Sequence, residues 1–213
     1  MYLVRSPLLL KWYYPQLIWN KARDNRVIYL TFDDGPIPDV TDFVLKTLNS
    51  FSAKATFFCI GDNILKHPQI FKDIKSDDHS IGNHTFNHLK GWDTPDDVYF
   101  NNFQKCQSLT DTNLFRPPYG RIKKSQIKDI KTIYPDMDII MWDTLSGDFD
   151  ISLSPENCLR NVIRYARNGS IIVFHDSLKA ADRLFFALPK VLEHFSNLGF
   201  EFKSLPSSPV ILT

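Results

Sequence analysis

The sequence predicts a single parallel α/β domain, and three features predict it. Short runs of β-branched and aromatic residues alternate with segments whose apolar residues recur at helical spacing. Polar side chains capable of chemistry gather at the C-terminal ends of those runs, the edge where loops of a parallel sheet converge. No internal repeat or low-complexity linker divides the 213 residues, a length that suits one well-buried domain.

Residues 27–32 form the first expected strand, stopped by Asp33, Asp34, Gly35 and Pro36. Residues 39–48 set Val40, Phe43, Val44, Thr47 and Leu48 at helical spacing. A second strand at 54–60 precedes a helix at 63–75 that turns Ile64, Leu65, Ile70 and Ile74 inward. Residues 79–84 read as a strand edge. The helix at 94–109 is expected to start from Thr94 as N-cap, with Pro95 at its first position and Asp96 and Asp97 in its first turn. Apolar strands follow at 137–142 and 170–174, with a helix at 155–167 between them that Gly169 closes as a left-handed cap. A last helix over 180–198 stops at Gly199 and leads into Phe200, Glu201 and Phe202. This alternation fits a barrel or an open sheet.

The 25 basic and 24 acidic residues nearly cancel, so no bulk attraction to nucleic acid is expected and the partner must be recognised at a local site. Cys59, Cys106 and Cys158 are too few and too scattered for a disulfide framework; Cys59, inside an apolar run, reads as a small buried hydrophobe. Near the N-terminus, Lys11, Pro15 and Gln16 interrupt an apolar, aromatic stretch well short of the ~20 residues of a membrane span. That stretch also lacks a signal-peptide core and cleavage site. Residues 1–25 are therefore expected to form an arm packed on a domain of residues 26–213, with contact to a membrane or another protein as the alternative. Free thiols and the missing export signal point to the cytoplasm, with a cell-envelope location as the alternative, and the chain is expected to act as a monomer.

Five polar stretches carry the chemistry. Asp33 and Asp34 end a strand, where neighbouring side chains diverge and can serve two tasks; by themselves they also make an ordinary turn. His84 and His88, at i and i+4, meet on one face if the segment makes a helical turn, and with one aspartate would leave a metal position open for water. The alternative is a pair of solvent-facing imidazoles. In Arg116-Pro117-Pro118-Tyr119-Gly120 two prolines stiffen the backbone around Arg116 and the Tyr119 N–H. The fourth stretch runs from Trp142 to Phe149 and contains Asp148; the fifth ends in Val173, Phe174 and His175, a histidine placed at a strand end as a general acid would be.

Taken in order, these stretches resemble the polysaccharide deacetylase family, the NodB-homology carbohydrate esterases. The family motifs T-F-D-D-G-P, H-S/T-x-x-H and R-x-P-Y/F match residues 31–36, 84–88 and 116–119, and two looser motifs match 145–149 and 173–175. Phe149 stands where the family usually has tryptophan, and Val173 where it has leucine. The resemblance covers about residues 26–203 and implies an irregular (β/α) barrel. It implies Asp34, His84 and His88 as ligands of one divalent ion, zinc first, with cobalt, nickel or manganese also compatible. It implies Asp33 as general base, oriented by Arg116, and His175 as general acid, partnered by Asp148. The Tyr119 N–H would bind the oxyanion, while Phe149 and Val173, or Trp142 in place of Phe149, would wall the acyl pocket.

The expected activity is removal of acetyl from N-acetylglucosamine or N-acetylmuramic acid units of an oligo- or polysaccharide. Three rivals are a metal amidohydrolase for a small cyclic amide, a silent glycan-binding module and a metal phosphatase. The intact Arg-Pro-Pro-Tyr motif weighs against the first. The silent module would have lost a ligand or the base, and the phosphatase would want more carboxylate or lysine around the metal.

Overall fold

The computed structural model describes residues 3–208, so residues 1–2 of the expected arm and 209–213 of the expected domain lie outside the described residues. Helix α1 (Leu8–Tyr13) comes first, then strand β1 (Val27–Asp33), helix α2 (Val40–Ser50) and strand β2 (Ala55–Cys59). Two helices, α3 (Gly61–Lys66) and α4 (Pro68–Ser76), stand where the sequence predicts one. The break falls at His67, because the ring of Pro68 crowds its predecessor out of the helical region, and His67 adopts φ −129°, ψ 57°.

Strand β3 (Ser80–Asn83) leads through a long loop to α5 (Asp96–Thr110). Thr94 does not cap α5: Pro95 holds that position, and the Thr94 hydroxyl donates to the Lys90 carbonyl. Strand β4 (Leu114–Phe115), helix α6 (Lys124–Ile133), β5 (Asp138–Ile139) and β6 (Thr144–Leu145) follow. No periodicity announces β4 or β6, which are two residues long, and α6 buries only Gln126, Ile127 and Ile130. Helix α7 (Pro155–Tyr165) is capped by the Ser154 hydroxyl, which accepts from the Asn157 amide. Strand β7 (Ser170–His175), helix α8 (Ala181–Asn197) and strand β8 (Glu201–Phe202) complete the order. Gly169 is left-handed, φ 69°, yet it is not the cap, since α7 already ends at Tyr165. Its conformation serves a close approach instead: a Cβ there would lie 2.1 Å from the Ala22 carbonyl oxygen.

Every strand pair is parallel, in the order β5-β4-β3-β2-β1-β7-β6 with β8 beside β1, and the curled sheet forms an irregular (β/α) barrel. The N-terminal residues bridge its open side. Ile18 pairs with Ile140 just past β5, and Asn20 pairs with Ser170 on β7. Arg23 anchors the same segment through a 2.5 Å ion pair with Asp143.

Period-two alternation sorts the strand residues into two sets. Ile28, Leu30 and Phe32 of β1 and Ile172 and Phe174 of β7 face the helices and pack with Val44, Leu48, Leu184, Leu188 and Val191. Their neighbours Thr31, Asp33, Val173 and His175 share the other face, with Phe58 and Ile171, and look into the barrel. One alternation therefore builds the core and delivers polar groups to the barrel mouth.

Candidate metal and catalytic site

Asp33 and Asp34 separate at the end of β1. Asp33 keeps the strand conformation, is buried, and accepts a 2.7 Å hydrogen bond from Arg116 Nη1. Asp34 turns left-handed, φ 88°, and its carbonyl accepts from Asn63 Nδ2 at 2.8 Å. Arg116 is fully buried, yet its guanidinium is well partnered: it donates to Thr31 Oγ1 at 2.7 Å, to the Ile140 carbonyl at 3.2 Å and to the Met141 carbonyl at 3.0 Å. Burial lowers its pKa, and the Asp33 carboxylate opposes that shift.

His84 follows β3 directly. Its Nδ1 lies 2.7 Å from the Arg116 carbonyl, which can only accept, so Nδ1 carries the proton and Nε2 keeps its lone pair. The Nε2 atoms of His84 and His88 lie 3.8 Å and 3.3 Å from Asp34 Oδ1. Burial, then the neighbouring His88, pushes the His84 pKa well below the usual imidazole value, and burial also lowers that of His88. Both rings are thus neutral near pH 7, as ligation requires. Asp34 Oδ1 is buried and has no hydrogen-bond partner, an orphaned acceptor facing two imidazole nitrogens. Ligand atoms of the three residues all fall within 4.8 Å of one another. A donor set of two nitrogens and one oxygen, with further positions open, fits a catalytic divalent cation.

The histidines do not meet through a helical turn. Residues 84–90 are irregular, with Thr85 at φ 62° and His88 at φ 57°. Asparagine side chains hold this loop: Asn83 Oδ1 accepts from the Thr85 amide at 2.8 Å, and Asn102 Oδ1 accepts from the Phe86 and Asn87 amides at 2.8 and 3.0 Å. Sequence reasoning misses Asn102, which acts from α5, and Gly82-Asn83 offers only a hint. Asp34, Thr85, His88 and Tyr119 are all left-handed non-glycine residues, each costing about 1–3 kcal/mol, and the bonds around them hold that strain.

His175 ends β7 in register with Asp33, so the two side chains stand on adjacent strands of one face. Its Nδ1 lies 2.8 Å from Asp148 Oδ1 and its amide donates to Asp148 Oδ2 at 2.7 Å. Ser146 Oγ, 2.9 Å from Asp148 Oδ1, steadies the carboxylate further. Burial by itself would lower the His175 pKa. The charge and hydrogen bond of Asp148 outweigh it, aided by Asp34 and Asp33, and the value rises to about 9.

The remaining groups close around this pair. Tyr119, at φ 58°, sets its ring 4.6 Å from that of His88. Phe149 meets the His175 ring edge-on at 5.2 Å, and Val173 lies one pleat below His175 on the same face. Trp142 lies beneath the Tyr119 turn, where a Cβ on Gly120 would come within 2.5 Å of its ring. Asp176, to which the sequence assigns no role, is buried and accepts from the Gly35 amide at 3.0 Å and the Thr41 hydroxyl at 2.6 Å. Burial raises its pKa to about 8.

Parallel strands bring two histidines and an aspartate that could hold a metal ion, a second carboxylate and a carboxylate-backed imidazole to one mouth, the layout of a metal-dependent hydrolase of carbon–nitrogen bonds. The chain belongs to the polysaccharide deacetylase family, whose family model matches residues 20–133. A peptidoglycan-N-acetylglucosamine deacetylase of Bacillus cereus is 31% identical over 191 residues, covering 86% of this chain and 88% of the relative. A chitooligosaccharide deacetylase of Azorhizobium caulinodans is 35% identical over 156 residues, covering 70% of this chain and 73% of the relative. Among solved structures, the Bc1960 peptidoglycan N-acetylglucosamine deacetylase in complex with 4-naphthalen-1-yl-N-oxidanyl-benzamide superposes with a TM-score of 0.86 at 28% identity. That likeness covers 94% of this chain and 95% of the other.

Proposed function

We propose that this chain removes the acetyl group from N-acetylglucosamine or N-acetylmuramic acid units of a peptidoglycan-type glycan, releasing acetate and a free amine. The observation that carries this reading is the orphaned Asp34 Oδ1 facing His84 and His88, one residue from Asp33 and one strand from His175. Asp34, His84 and His88 would hold one divalent ion, zinc first, which when bound polarises the acetyl carbonyl and makes the attacking water more acidic.

The protein's own groups supply the rest. Asp33, oriented by Arg116, takes the proton of the attacking water. The Tyr119 N–H donates to the oxygen on which negative charge develops. An amine leaves poorly until protonated, and His175, charged at neutral pH, supplies that proton to the sugar nitrogen. Asp148 keeps the ring in place through Nδ1, so Nε2 is the nitrogen left to donate. Phe149 and Val173 bound the space for the acetyl methyl, while Trp142 supports the Tyr119 turn. In this reading residues 1–25 are an arm of a catalytic domain at 26–213, and the working form is a cytoplasmic monomer acting on a glycan precursor.

Mass spectrometry of N-acetylated oligosaccharides incubated with metal-loaded protein tests the activity: one acetyl should be lost per event, and a chelator should stop it. His84→Ala combined with His88→Ala should empty the site, read as metal per protein. Full occupancy in that variant would overturn the ligand assignment.

The acyl pocket gives a finer expectation. Phenylalanine is smaller than tryptophan and valine smaller than leucine, so the pocket should tolerate propionyl better than a tryptophan–leucine pocket would. Phe149→Trp should then lower the propionyl-to-acetyl ratio of kcat/KM, by up to about 1–3 kcal/mol for one methylene. An unchanged ratio would remove Phe149 from the acyl wall.

A further inference from the structure

The N-terminal segment carries an apolar face that the catalytic reading does not use. Leu3, Leu9, Leu10, Trp12 and Tyr13 are all exposed, Leu9 by 77% and Trp12 by 79%. Among the described residues no other stretch of similar length gathers as many large exposed hydrophobics. Single exposed apolar residues are ordinary, whereas a contiguous patch of them marks an interaction surface.

The patch is preformed. Leu17 and Trp19, just after it, are buried in one cluster with Phe115, Ile130 and Ile139. Trp19 Nε1 donates to the Tyr14 carbonyl at 3.4 Å, and Lys11 Nζ donates to Asn20 Oδ1 at 2.8 Å. With Ile18 and Asn20 paired to the two sides of the barrel opening, α1 is presented on a fixed base.

Positive charge rims it. The Lys124 ammonium lies 4.0 Å from the Tyr13 ring centre and 5.6 Å from that of Tyr14. Arg5 and Arg167 also act on Lys11, while Arg23 and Asp143 neutralise each other in their ion pair. The whole chain carries a net charge of only +1, so this cationic character is local.

We propose that this face docks on an anionic membrane surface. Among the described residues no helix is long and apolar enough to cross a membrane, so the segment would lie in the interface. Trp12 and Tyr13 have the amphipathic rings favoured at headgroup depth, the leucines reach the acyl boundary, and Lys124 and Arg5 turn to lipid phosphates. A second copy of the chain is the competing occupant. A two-fold pairing would set each cationic rim against its own image, whereas an anionic surface neutralises it. The inference does not rest on the deacetylase reading.

Co-sedimentation of the full chain with vesicles tests it. Phosphatidylcholine vesicles containing phosphatidylglycerol should bind the protein at least about ten-fold more tightly than pure phosphatidylcholine, and salt should weaken the binding. Leu9→Ser with Trp12→Ser, and separately Arg5→Gln with Lys124→Gln, should each weaken it about ten-fold or more while the thermal unfolding midpoint holds. If a double variant unfolds, single Leu9→Ser or Trp12→Ser at these exposed positions supplies the comparison. No binding to anionic vesicles, or equal binding by folded variants, overturns the proposal. So does a wild-type dimer in sedimentation velocity that Leu9→Ser and Trp12→Ser dissolve, which would assign the face to a second copy.

Discussion

Asp33→Asn is expected to lower kcat/KM by about 10²–10⁴ while metal content stays near that of the wild type. The separation follows from the two directions taken at the end of β1. Asp34 faces His84 and His88, while Asp33 faces Arg116. Asparagine keeps an oxygen for Arg116 Nη1 but cannot take a proton from water. The substitution also leaves a buried guanidinium without its counter-charge. Removing one partner of a buried pair costs up to about 3–5 kcal/mol, and the bonds from Arg116 to Thr31, Ile140 and Met141 limit the loss. Steady-state rates, metal per protein and a thermal melt of one preparation separate these effects. Loss of metal in step with rate would move Asp33 into the ligand set, and an unchanged rate would remove it from the chemistry.

His175→Ala should also cost about 10²–10⁴ in rate, with a selectivity that a structural role would not produce. The loss should be large for an amide, whose amine leaves only when protonated, and small for an activated aryl acetate. Equal losses on both substrates would end the general-acid assignment. The pH profile gives a second reading. With its pKa raised to about 9, His175 is protonated at neutral pH, so the rate should hold there and fall on the alkaline side. A cation held by Asp34, His84 and His88 would offset the charge of Asp34, one of the groups raising that value, and would place the alkaline limb below it. Asp148→Asn removes the largest raising influence and should move the limb to lower pH. Stability is linked with the same sign. A histidine whose pKa is raised on folding contributes stability that is complete below about 6.5, the unfolded value, and disappears as pH rises through the folded value. A melt of wild type and His175→Ala across pH 6 to 10 should therefore converge at the alkaline end.

Much of this was legible in the sequence because it is local. Alternating apolar runs specified β1, β2 and β7, and helical spacing specified α2, α5, α7 and α8, within a few residues of their observed ends. The site residues stood out because each closes a strand or a stiff turn: Asp33 and Asp34 after Phe32, His84 after Asn83, Arg116 before two prolines, and His175 after Phe174. Local patterns give way where another residue overrules them. Pro68 split the expected helix at His67, and Gly169 turned left-handed to admit the Ala22 carbonyl rather than to cap α7.

What the tertiary structure decided is what depends on partners far away in the chain. His84 and His88 are brought together by a loop that Asn102 holds from α5, not by the helical turn that their i, i+4 spacing suggests. The proton on His84 Nδ1 is placed by the Arg116 carbonyl, 32 residues on. The acidity of His175 is set by Asp148, 27 residues earlier. The barrel opening is bridged by Ile18 and Asn20, whose segment read only as an apolar arm. The sequence determines which groups reach the barrel mouth, because side-chain alternation is a property of neighbours along one strand. Tautomer, charge state and strain belong to the folded chain, because each is fixed by an acceptor, a carboxylate or a backbone that only folding brings within hydrogen-bonding distance.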